Sequence, residues 1–112
     1  MAKINKNAGN NSRKQQYDHI FRAVDEDERG LVDRLINECV WYEEQMLALR
    51  KYPFIAVHPK RPELQRVTAA ARLYKEYATS YMNAIRILLN VLRKVEASAQ
   101  DDLLKRLEEF SL

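Results

Sequence analysis

Arg72, Arg86 and Arg93 fall at multiples of seven inside a stretch, residues 63–96, that contains neither Gly nor Pro. Seven residues are close to two turns of an α-helix, so three guanidinium groups line one outward strip at separations on the order of 10 to 20 Å. Such a strip either engages the phosphates of an anionic polymer or stands as a solvated face. Lys3, Lys6, Arg13 and Lys14 form a second basic group near the N-terminus, in a setting rich in Asn and poor in apolar residues. A basic arm of that kind binds nucleic acid through phosphates, without sequence preference. Lys51, Lys60 and Arg61 flank His58 in a third cluster, around the prolines. No recognition helix of helix-turn-helix type is readable.

Other side chains with chemical potential have plainer readings. His19 and His58 have no Cys or second His at metal-ligand spacing, and Cys39 stands alone without a nearby His, as a buried packing residue would. Asp25, Glu26, Asp27 and Glu28 lack the alternating ligands and central Gly of a calcium loop; they suit the first turn of a helix, where acidic groups face the positive end of the dipole. Tyr74, Tyr77 and Tyr81 have the spacing of a packing seam, with hydroxyls at its edge, rather than of a base-stacking platform. With no Gly-rich phosphate loop and no convincing acid/base pair, the sequence predicts neither an enzyme nor a cofactor.

The 112 residues leave room for one domain, and a 46% hydrophobic content builds a modest core. A single Cys permits no intrachain disulfide, which favours a reducing, intracellular setting. The first fifteen residues lack the apolar core of a signal peptide, and Arg86 and Arg93 interrupt the most apolar segment, so no membrane partner is expected. The net charge of +3 conceals blocks of +4 over residues 1–24, −5 over 25–50, +7 over 51–94 and −3 beyond. Alternation on this scale points either to charge-complementary packing between segments or to a basic surface for an anionic polymer.

The elements that position these groups are predicted to be all-α. Residues 1–12 read as a flexible basic arm and 13–112 as a single helical domain. A short helix from Ser12, with Ser12 as N-cap, carries Tyr17, Ile20, Phe21 and Val24 on one side. A helix over about 28–50 follows, with Val32, Leu35, Cys39, Tyr42, Met46 and Leu49 in steps of three and four. Residues 51–62 hold every proline and reverse the chain, and Pro62 and Glu63 suit the opening of a second helix over about 63–97. Its stripe of Val67, Ala70, Tyr74, Tyr77, Tyr81, Ala84, Leu88, Val91 and Val95 matches the first, giving a long antiparallel helical hairpin with short flanking helices. Ser98 and Asp101 form a variant capping pattern for a short C-terminal helix over about 99–109, whose Leu103, Leu104, Leu107 and Phe110 would fold back onto the hairpin.

The two hairpin helices differ in length by roughly 16 Å, which leaves the end from Ile87 to Val95 uncovered. Ile87, Leu89 and Leu92 there, with Val40, Trp41 and Leu47 on the first helix, form a second apolar face. Either the flanking helices or other copies of the chain must cover it, and its presence on two separate helices favours other copies.

The segment VHPKRPELQRV, followed by RLYKEYATSYMNAIRILLNVLRK, resembles the linker and final long helix of bacteriophage terminase small subunits. His58, Pro59, Tyr74, Tyr81, Leu88 and Leu92 carry the likeness, which spans about the last half of the chain. The family's frequent Leu-Gly-Leu-Thr-Pro ending is replaced here by VEASAQDDLLKRLEEF. The resemblance implies a ring-shaped homo-oligomer in the cytoplasm of a bacterial host. It would bind double-stranded viral DNA and present it to the terminase large subunit, which supplies the ATPase and nuclease chemistry. The alternative is a helical oligomerisation or protein-interaction module without nucleic-acid function.

Overall fold

Asp25 opens the first long helix through its backbone. Its carbonyl accepts the Glu28 N–H at 3.1 Å, and Glu26, Asp27 and Glu28 place three carboxylates in the turn where the helix dipole is positive. The computed structural model describes residues 8–111, with side chains from 12 to 109. Its elements are α1 (Ala8–Ile20), α2 (Glu26–Leu49), β1 (Ile55–Val57), β2 (Gln65–Val67) and α3 (Ala69–Ser111). The chain is therefore mostly helical, with a long C-terminal helix, but not all-α. Lys3 and Lys6 lie outside the described residues. The first helix is already formed at Ala8, so Ser12 is an interior residue and not its N-cap.

α2 and α3 pack side by side in opposite senses. Arg50 reaches Tyr74, Trp41 and Tyr42 meet Tyr77, and Glu43 meets Tyr81. The buried core is Tyr17, Phe21 and Val24 from α1 and the turn after it, Val32, Ile36, Cys39 and Val40 from α2, and Ala84 and Leu88 from α3. α2 thus faces two neighbours, α1 and α3. Its buried stripe widens to include Ile36 and Val40, which a pattern read for one partner leaves outside the seam. α1 packs chiefly on α2 and borders α3 across an apolar groove lined by Ile20, Phe21, Leu88 and Leu92, while Val91, Leu92 and Val95 pack against the core. Of the face that was expected to meet other copies, the chain itself covers Val40 and part of Leu92.

The helix expected from residue 63 begins six residues later. Pro62 occupies the second position of a turn closed by the Leu64 N–H on the Arg61 carbonyl, 2.9 Å, instead of opening a helix. Both positions want the same fixed φ, so the proline by itself does not discriminate. β1 and β2 then pair antiparallel, with Ile55 opposite Val67 and Val57 opposite Gln65, and Val67 leaves the helical stripe for the sheet. Thr68 opens α3: its Oγ1 accepts the Ala71 N–H at 3.2 Å and donates to the Pro53 carbonyl at 2.7 Å.

No break follows Ala97. α3 runs 43 residues to Ser111 with Ser98 and Asp101 inside it, because Ala97, Ala99 and Gln100 favour helix and no Gly or Pro releases the backbone at Ser98. Leu103, Leu104 and Leu107 accordingly do not fold back onto the bundle; they lie on an extension whose described side chains from 96 to 109 are all exposed. Phe110 lies outside the described side chains. The molecule measures 82 × 43 × 21 Å.

Candidate nucleic-acid interface

The outward strip depends on how α3 is rotated, and a polar cluster at the seam helps fix that rotation. Glu43 accepts hydrogen bonds from the hydroxyls of Tyr17 and Tyr81, the latter at 3.2 Å, and pairs with the Arg13 Nε at 2.7 Å. The two tyrosine hydroxyls are 3.3 Å apart. Burial, and then the bond to Glu43, push the Tyr17 pKa up from its ordinary value; Glu43 holds the Arg13 guanidinium firmly charged. Arg13, expected in a mobile basic arm, is thus committed to a three-helix cluster. Lys14 beside it is half-buried.

At 3.6 residues per turn, Arg72, Lys75, Thr79, Arg86 and Arg93 fall on the side of α3 opposite Tyr81, Ala84 and Leu88. Arg72, Lys75, Arg86 and Arg93 are exposed, and none makes an ion pair among the described residues. Shallow grooves run along this side, one lined by Lys75, Thr79, Met82, Asn83 and Arg86, the next by Arg72, Lys75, Glu76 and Ser80. Between Glu76 and Glu96 the helix carries no acidic residue. The acidic α2 lies against the opposite side of α3, so its carboxylates do not neutralise the strip.

The basic loop cluster is organised by His58 and by the anchoring of the strands. The His58 Nδ1 accepts the backbone N–H groups of Lys60 and Arg61, both at 3.1 Å, which holds the two cations together at the tip. At the base, Phe54 packs on Tyr74 with centroids 5.2 Å apart, and the Arg50 guanidinium donates to the Tyr74 hydroxyl at 2.9 Å. Lys51, Lys60, Arg61 and Arg66 are all exposed, at the opposite end of α3 from its C-terminal extension.

The expected apolar face divides. Val40 is buried in the core and Leu92 packs partly buried against it, so neither is available to another copy. Trp41 is half-exposed and sets its ring edge-on to Tyr77 at 5.3 Å, bridging the seam it was expected to leave. Leu47, Ile87 and Leu89 remain exposed. Sequence reasoning missed Lys75 and Asn83, although their helical spacing from Arg72 and Arg86 was the signal, and it missed Arg66, whose position depends on strand pairing.

Cys39 is buried, and burial followed by the charges of Glu43 and Glu38 pushes its thiol up to about 11, so it is no nucleophile at neutral pH. Among the described residues no group of three or more His, Cys, Asp or Glu is placed to hold a metal ion, and no helix is long and apolar enough to cross a membrane. Comparison with models of protein families, with curated proteins and with solved structures finds no match.

Proposed function

We propose that this chain is a phage DNA-packaging protein of the terminase small subunit type, which binds double-stranded viral DNA and presents it to a large subunit with ATPase and nuclease activity. The observation that carries the DNA reading is the strip Arg72, Lys75, Arg86 and Arg93, which makes no ion pair among the described residues and lies on a side of α3 that holds no acidic residue between Glu76 and Glu96. The strip spans roughly 30 Å at the helical rise, enough to reach several phosphates of a duplex. The likeness of residues 57–94 to the linker and long helix of that family supplies the biological class. Self-association into a ring is part of the proposal, and the exposed Leu47, Ile87 and Leu89 support it.

The test is titration of labelled double-stranded DNA at several salt concentrations. Replacing Arg72, Arg86 and Arg93 together by Ala weakens binding and flattens the logarithmic salt dependence by about 0.9 for each phosphate no longer engaged. The DNA reading is overturned if the intact chain binds no duplex at about 50 mM salt, or if the triple variant leaves the slope unchanged. The protein is then a helical interaction module.

A further inference from the structure

The C-terminal extension of α3 and the β1–β2 hairpin are complementary in charge and in kind, and they lie at opposite ends of one continuous helix. Residues 96–109 carry five carboxylates, Glu96, Asp101, Asp102, Glu108 and Glu109, and two cations, Lys105 and Arg106, for a net charge of −3. Over residues 51–67, Lys51, Lys60, Arg61 and Arg66 face only Glu63, for +3. Both regions also expose apolar groups. Leu103 and Leu104 are 59% and 58% exposed on the extension; Ile55, Val57 and Val67 are 54%, 51% and 53% exposed. The strand register puts those three β-branched residues on one face of the two-stranded sheet.

Neither region is self-sufficient. A two-stranded sheet without a covered face is marginal in water, and so is a helical segment of this length standing clear of the bundle. They cannot satisfy each other within one chain, because about 34 residues of continuous helix, roughly 50 Å, separate the start of α3 from Leu103. We propose that the partner of each is a second copy of this chain: the acidic, leucine-bearing extension of one copy docks on the basic, β-branched hairpin of another. Pairing of two extensions with each other is disfavoured by their like charge. Two copies laid antiparallel form both contacts at once, which closes the pair; a ring would be built from such units. This deepens the self-association in the proposed function, and it assigns Lys60 and Arg61 to the contact between copies and leaves DNA to the α3 strip.

A charge swap tests the inference without DNA, by light scattering at tens of micromolar protein. The extension variant Asp101→Lys/Asp102→Lys carries +1 over residues 96–109, and the hairpin variant Lys60→Glu/Arg61→Glu carries −1 over 51–67. Each alone places like charges at the contact and raises the concentration for half-association roughly tenfold or more. An equimolar mixture of the two restores association, because every extension again meets a hairpin of opposite sign. The chain carrying all four substitutions restores it as well. If the wild type is a multimer but the hairpin variant keeps its full mass, this inference is wrong while self-association stands. If the wild type is a monomer, self-association and this contact both fall. Circular dichroism of each variant confirms that its helices are intact, so that a lower mass reports the contact alone.

Discussion

Tyr17 is the residue on which the three helices converge. Its ring is buried and its hydroxyl is held between Glu43, Tyr81 and Arg13. Because burial and Glu43 raise its pKa in the folded state, folding favours the protonated phenol. The resulting stability is complete below the ordinary tyrosine value of about 10 and is lost as pH rises above it. Cys39 has the same sign and starts earlier, from an ordinary value of 9.0, with a folded value of about 11. The melting temperature should therefore hold steady through neutral pH and fall from about pH 9 upward. Cys39→Ala should remove the earlier part of that fall and Tyr17→Phe the later part, as read by thermal melts between about pH 7 and 11. An alkaline slope unchanged in both variants would locate the titration elsewhere.

Among the elements, the junction of β2 and α3 sets where the long helix starts. Thr68 closes the loop at 2.7 Å to the Pro53 carbonyl, while its backbone N–H donates to the Phe54 carbonyl at 3.1 Å. One hydroxyl therefore serves both the cap and the base of the β-hairpin. Thr68→Ala should cost about 1 kcal/mol, seen as a lower denaturant midpoint with an unchanged slope. Thr68→Ser keeps the hydroxyl and should restore most of it. If Ala and Ser behave alike, the hydrogen bonds contribute nothing net and the start of α3 is fixed by Phe54 on Tyr74.

For the whole molecule, the core contacts of α3 and its proposed contact with another copy fall on different parts of the helix. Among the described residues, every buried residue of α3 lies at or before Leu88, and its partly buried packing residues end at Val95. Truncation after Ala97 should leave the melting temperature within a few degrees of the full chain, since the core is intact. The same truncation should lower the mass in light scattering. A large drop in thermal stability would show that the extension supports the fold of its own chain. The elongated form has a radius of gyration of 21.3 Å, against roughly 13 Å for a compact chain of this length, which makes small-angle scattering a sensitive check on the pairing geometry.

Much of this architecture is local and therefore legible along the sequence. The apolar steps from Tyr74 to Val95, the acidic first turn of α2 and the prolines that end it act within a few residues of one another. They determine a helix-rich fold and place Arg72, Arg86 and Arg93 on one outward side. What the sequence left open depends on partners distant along the chain. Pro62 serves a turn or a helix start equally well, and only pairing of Ile55 with Val67 decided for the β-hairpin. Arg13 looks like any basic residue of an N-terminal arm until Glu43, thirty residues away, is brought against it. Val40 became core, and Leu92 a partly buried neighbour of it, because α1 packs on α2 and borders α3. The acidic extension stayed helical and solvent-facing because helix propensity prevailed over a capping pattern that had no Gly or Pro to enforce it.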